Sequence, residues 1–272
     1  TKAELQNICN LVSKQIEGKN CVEVETIQDL VETSLMERGH YKVAKAYILY
    51  RDKRAACRVV VNQFKETIND ERIITLLEDI QEHFTTKPYA LDFLYAKYRS
   101  FYKVDGDTLQ MLIKAAVELI TPDAPNWEFI ASRLQMIRLE ELIENAEKVF
   151  CLNSFYDKIN YLTDQNLYGS YILENYTKEE VTELEHYLNH SRNNLLTYSS
   201  LHLLFKRYLI HDHSYNILER PQEMFMGIAM HLAIPEGENK VKWAKKIYNI
   251  LSELKVTMAT PTMSNARKPL SQ

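Results

Sequence analysis

Residues 24–54 read VETIQDLVETSLMERGHYKVAKAYILYRDKR. Ile27, Leu30, Val31, Ser34 and Leu35 recur at the three- and four-residue spacing of one helical face. Gly39 interrupts the pattern, and Val43, Ala46, Tyr47 and Tyr50 form the face of a second helix. The stretch therefore reads as a helical hairpin. Toward the N-terminus, Leu5, Ile8, Cys9, Val12 and Ile16 mark another helix, closed by Gly18-Lys19-Asn20. Toward the C-terminus the hairpin pattern returns. Thr26-Ile27-Gln28-Asp29-Leu30-Val31 is echoed by Thr108-Leu109-Gln110-Met111-Leu112-Ile113, Tyr41 by Trp127, Ala44 by Ala131, and Arg51 by Arg138, across an insertion that contains Pro122 and Pro125. Amphipathic helix pairs resemble one another in any case, so the echo alone names no family.

The rest of the chain continues in the same register. Residues 59–103 predict two or three helices, with Pro88 as a start signal before Leu91, Leu94 and Tyr95. Thr177 followed by Glu180 is a capping-box start for KEEVTELEHYLNHSRN. Tyr208–Ile210 and Ile217–Leu218 flank a polar turn and predict a small β-hairpin within 207–218. Pro221 opens a helix whose inward face carries Met224, Phe225, Ile228, Ala229 and Leu232; Pro235 and Gly237 end it, and KVKWAKKIYNILSELK is the next. Residues 256–260 alternate like the beginning of a strand, so the chain reads as part of a longer protein. The expected organisation is 1–58, 59–150 and 151–272, mainly α.

Composition agrees with that class. Only 6 glycines and 7 prolines occur in 272 residues, too few for an all-β chain with its frequent turns. The net charge of −4 provides no field for a nucleic-acid polymer. No apolar run reaches the roughly 18 residues of a membrane span, and the N-terminal TKAELQNICN has neither the basic nor the apolar part of a signal peptide. Cys9, Cys21, Cys57 and Cys151 form no CxxC pair and read as reduced thiols of a cytoplasmic protein.

Few clusters carry chemistry by spacing alone. His186 and His190 are four apart on one predicted helix, but Tyr187 stands where a zinc peptidase needs its glutamate, and no third ligand is evident. His211-Asp212-His213 reads as an exposed turn rather than a metal site. Cys57 among Lys53, Arg54 and Arg58 reads as a basic helix surface. Neither GxGxxG nor GxxxxGK[ST] is present.

Three stretches resemble one family. ERPQEMFMGIA at 219–229 is similar to the signature of the large, catalytic subunit of class I ribonucleotide reductase, and MATPTMSNARKPLSQ at 258–272 resembles that family's first barrel strand and the loop after it. Residues 24–54 resemble the second half of an ATP-cone, the regulatory nucleotide module of many of these enzymes, and residues 107–138 resemble the helical region before the barrel. The resemblance implies helical cone-like domains leading into an α/β ten-stranded barrel. It also implies reduction of ribonucleoside diphosphates by radical chemistry, a small radical-generating partner subunit that carries the radical cofactor, a homodimer of the large subunit, and ATP and dATP as effectors.

The same resemblance assigns residues. The Ser or Thr before proline in the family's [ST]-P-x-x-x-N/S-x motif contacts the substrate diphosphate, and here that residue is Thr260. The cone's nucleotide contacts at the start of its third helix fall near Val24 and Gln28, although Val24 lacks the hydroxyl that family members often carry. The cone's opening hairpin with its Val-x-Lys-Arg-Asp-Gly motif is not in this sequence, and the first redox cysteine is expected after Gln272. None of the four cysteines is thus assigned catalysis, no metal or cofactor is expected on residues 1–272, and these residues alone are expected to bind ATP weakly or not at all. Two alternatives fit the same residues: an adenosylcobalamin-dependent reductase of the superfamily, and a non-enzymatic helical regulatory or scaffold module.

Overall fold

The computed structural model describes residues 2–18, 21–83, 90–101 and 106–269. Three quarters of the described residues are helical, with no β-strand among them. The expected helix start at Pro88 and the side chains of the Cys57 basic cluster lie outside the described residues. Two compact units divide the chain, 1–67 and 68–272.

The first unit contains α1 (Lys2–Ile16), α2 (Val24–Glu37) and α3 (Tyr41–Thr67). Gly18 and Gly39 adopt positive φ (81° and 76°), which a residue without Cβ reaches freely, and each follows a helix end. α1 packs on α2, and α2 on α3. Where the three helices meet, Ile8, Val12, Leu35 and Ala44 are buried, with Ile27, Leu30, Val31 and Tyr47 partly buried around them, and further along α3 Val60, Val61 and Phe64 are buried too. A guanidinium spans the hairpin. Arg51 on α3 donates to Asp29 (2.7 Å), Glu25 (2.9 Å) and Glu32 (3.1 Å), all on α2.

The second unit begins with α4 (Glu71–His83) and α5 (Leu91–Phe101), followed by α6 (Thr108–Glu118) and the 24-residue α7 (Trp127–Phe150). α7 packs against α4 and α6 and buries Trp127, Ile130, Ala131, Leu134, Leu139 and Ile143. The Asp107 side chain caps α6 by accepting from the Gln110 N–H at 3.0 Å, and Arg138 of α7 donates to the same carboxylate. The repeat read in the sequence is therefore two helical hairpins: in the first, Arg51 of the second helix reaches three acids along the first helix, and in the second, Arg138 reaches the acid that caps it.

Further on lie α8 (Phe155–Asp164), α9 (Ser170–Asn175), α10 (Lys178–Glu185) and α11 (Tyr198–Leu203), and α11 runs into a π-turn, Leu204–Tyr208. The Thr177–Glu180 capping box is present. α10 stops earlier than the sequence suggests, because the Asn189 side chain accepts from the Ser191 N–H (3.1 Å) and opens a 3₁₀ segment, His190–Leu195. α12 (Pro221–Ala233) is buried nearly all round and packs along α13 (Lys240–Ser252). α14 (Thr260–Asn265) is the last element described.

Both expected strands need correction. The hairpin within 207–218 is reduced to a single antiparallel bridge, His211 to Ile217. Asp212 accepts from the N–H groups of Ser214 and Asn216 (2.8 Å each), and the Ile210 N–H goes to the Glu219 carboxylate (3.1 Å), so side chains take the bonds a longer ladder would use. At 256–260 no strand forms: residues 256–259 belong to no regular element, and Ala259 is extended where it caps the next helix. Thr260 begins a helix with Pro261 in its first turn, a position that suits proline's fixed φ. A segment without a partner strand among the described residues has no ladder to join.

Candidate functional site

The apolar α12 carries Gln222 and Glu223 in its first turn and His231 in its last, and the two at the start have buried jobs. Pro221 sets the first turn, and the Glu223 carboxylate accepts from the Arg220 N–H at 2.8 Å. Glu223 also receives Lys158 of α8 at 2.6 and 2.8 Å. Arg220 donates to Glu140 (2.7 Å) and to both oxygens of Glu147 on α7. Lys158 meets Glu147 as well, at 2.5 Å. Burial opposes the charge on Glu147, but the Arg220 and Lys158 bonds outweigh it and hold the carboxyl below its ordinary range. Gln222 is fully buried, accepts from the Tyr248 hydroxyl (2.8 Å) and donates to Asn193 (2.9 Å). The ERPQE run is thus a set of clamps joining α7, α8, α12 and α13.

Glu219 serves the next segment. Its carboxylate takes two bonds from Arg267, at 2.6 and 2.5 Å, and Arg267 has 0% exposure. Desolvation disfavours this guanidinium, yet the paired carboxylate more than compensates and raises its pKa. The remaining donors reach the backbone: one bonds the Met263 carbonyl (2.9 Å) and another the Tyr208 carbonyl (2.7 Å). Around it, the Gly169 N–H donates to the Arg267 carbonyl (2.9 Å), and the Tyr171 hydroxyl donates to the carbonyls of Ala266 (2.8 Å) and Lys268 (3.1 Å). Burial pushes Tyr171 up to about 12, so that hydroxyl remains a donor at any physiological pH. The chain from α14 through Lys268 is in this way bolted to α9, α12 and the π-turn.

Thr260 stands exposed at the start of α14, and its hydroxyl lies 3.4 Å from that of Tyr208. Val24, at the start of α2, is 62% exposed, and Gln28 lies one turn later on the same face with a buried, unpartnered side-chain oxygen. Arg51, the cation that crosses this hairpin, is committed to three carboxylates. His186 and His190 fall in different elements and are both exposed. Asp212 is spent on its own turn, while His213 contacts the Gln165 carbonyl (3.2 Å) and His211 the Leu209 carbonyl (2.9 Å). Among the described residues no three His, Cys, Asp or Glu side chains are grouped to hold a metal, and no helix is long and apolar enough to cross a membrane.

Arg267 and Tyr208 were not singled out from the sequence. One signal was available: Gly227 inside the otherwise apolar α12. A Cβ there would lie 2.1 Å from the Tyr168 hydroxyl and 2.9 Å from Arg267 Cδ, so the glycine leaves room for Tyr168 first and for the arginine beside it.

Comparison with known proteins adds the wider frame. Residues 1–56 match the model of the ATP cone domain, and residues 194–271 match the model of the ribonucleotide reductase all-alpha domain. The chain is 44% identical over 254 residues to a ribonucleoside-diphosphate reductase subunit alpha of Treponema pallidum, covering 92% of this chain and 30% of that protein. It is 30% identical over 212 residues to the subunit alpha of Enterobacteria phage T4 (76% of this chain, 27% of that one). With the subunit alpha of Helicobacter pylori it shares 36% over 159 residues (58% and 19%). The chain spans less than a third of the length of these relatives.

Proposed function

The chain belongs to the ribonucleotide reductase large-subunit family, and from that premise we propose that the whole protein reduces ribonucleoside diphosphates to their 2′-deoxy forms under nucleotide control. The observation that carries the reading is the 44% identity to a reductase subunit alpha across 92% of this chain, with a cone and the reductase all-alpha domain in one sequence. The subunit name of the relatives supports a partner subunit that generates the radical, and nothing favours an adenosylcobalamin enzyme. The large subunit acts as a homodimer in the cytoplasm, and it recognises nucleotides rather than a DNA or RNA polymer.

In this reading the residues of the chain bind and position. Thr260 donates its hydroxyl to the substrate diphosphate, a contact that needs no charge. ATP or dATP acts at the cone, where Val24 and Gln28 form part of the nucleotide contact face. Reduction of CDP by the full-length protein with its small subunit, modulated by ATP and dATP, is the expected result. A full-length pair that binds CDP and effectors to no measurable extent and yields no dCDP would overturn the reading.

A further inference from the structure

We infer that Tyr208 supplies a second hydroxyl to the phosphate subsite at Thr260, and that Arg267 sets the spacing between the two. The inference rests on the reading of Thr260 as a phosphate donor and adds the residues that make it a subsite. Tyr208 ends the π-turn Leu204–Tyr208, an irregularity found often at functional positions. Its hydroxyl and that of Thr260 are 3.4 Å apart. An O–H···O bond is about 2.5–3.0 Å long, so neither hydroxyl is satisfied by the other. Two oxygens at that separation can each reach one phosphate oxygen lying between them at about 2.7 Å.

The two hydroxyls come from segments far apart in sequence, and a single side chain ties them. Arg267 bonds the carbonyl of Tyr208 itself and the carbonyl of Met263 within α14. Its other bonds lock the fork onto Glu219, so the planar guanidinium fixes both carbonyls in one frame. Arg267 is wholly buried and four of its five N–H donors go to Glu219 and the two carbonyls, so it is a positioning residue, while the phosphate meets the hydroxyls.

The test uses the full-length reductase with its small subunit and CDP as substrate. Tyr208→Phe removes only the hydroxyl. The expected result is a KM raised about tenfold, as for a lost bond to a charged group, with kcat and Tm close to wild type. Thr260→Val should do the same, and the double variant should lose less than the product of the two, because both donors serve one oxygen. Arg267→Lys should raise KM similarly and make a further Thr260→Val change nearly silent. If Arg267→Lys does not fold, Glu219→Gln is read instead: its amide puts an NH2 donor in place of one accepting oxygen, so the Arg267 fork loses one of its two bonds to residue 219 along with the charge. A raised KM in Thr260→Val with wild-type KM in Tyr208→Phe overturns the inference and leaves the Thr260 reading standing. Wild-type KM in Thr260→Val overturns that reading and the paired subsite with it. Tyr208→Phe that lowers Tm and kcat at unchanged KM marks a merely structural tyrosine.

Discussion

The α2–α3 and α6–α7 hairpins share a pattern and differ in what the pattern buries. Ala44 and Ala131 occupy echoed positions, and both are buried (1% and 0% exposed). Tyr41 and Trp127 are also echoed, yet Tyr41 is 69% exposed and Trp127 is 1%. Around Tyr41, Val43, Leu49 and Tyr50 are likewise exposed, whereas Ile130 and Leu134 on α7 are covered by neighbours that include α4 and α6. Periodicity therefore reports which face is apolar. How deeply that face is buried depends on the helices that come to lie on it, which a two-helix window does not contain.

The largest effect that would break the comparison is at these aromatics. Trp127→Ala should destabilise the second unit by about 3–5 kcal/mol, through lost transfer energy and a cavity. Tyr41→Ala should stay within about 0.5 kcal/mol. Both tryptophans of the chain, Trp127 and Trp243, lie in the second unit, so their fluorescence reports only on that unit. Hydrogen exchange of α2–α3 amides in denaturant is the matching probe for the first. Equal losses at the two positions would mean that Tyr41 is covered in solution.

These hairpins also show what was legible. Helix existence was, because Gly18, Gly39, Thr177 with Glu180, and Pro221 punctuate the chain by local chemistry. The strands were not, because a strand exists only by pairing: the Ile210 N–H is diverted to Glu219, and the run to Ala259 has no ladder partner among the described residues. Thr260 was reached by resemblance to a family and by no spacing rule. Arg267 was hidden, because Arg267 following Ala266 reads as a surface residue until Glu219 and the Tyr208 carbonyl, distant in sequence, are brought to it.

A middle-sized effect separates the two acid–arginine contacts. Asp107 does two things, capping α6 and receiving Arg138, while the acids that receive Arg51 sit within the turns of α2. Asp107→Ala should cost about 1 kcal/mol, the ordinary loss of an N-cap. It should also free the first amides of α6 to exchange faster. Glu25→Ala should leave α2 exchange nearly unchanged, since Arg51 retains Asp29 and Glu32. Faster exchange at α2 than at α6 would show that the Arg51 contact is the structural one.

The smallest effect concerns the charge on Asp107 apart from its cap. Burial works against this carboxylate, but the Arg138 bond, the Gln110 N–H and the Arg138 charge together set its pKa below the ordinary value. A carboxyl with a depressed folded pKa adds stability above its unfolded value, near 3.9, and loses it as pH falls through the folded value. Asp107→Asn keeps a good N-cap but cannot titrate. At pH 6 the wild type should exceed this variant by about 0.2–1 kcal/mol, the range for a half-exposed pair. As the pH drops from about 5 toward 2 the difference should shrink toward zero. Comparing the two proteins by denaturant unfolding at each pH cancels the other carboxylates, which titrate in both. A gap that stays constant with pH would mean that Asp107 contributes only as a cap, and that the Arg138 contact adds no charge-dependent stability to the α6–α7 hairpin.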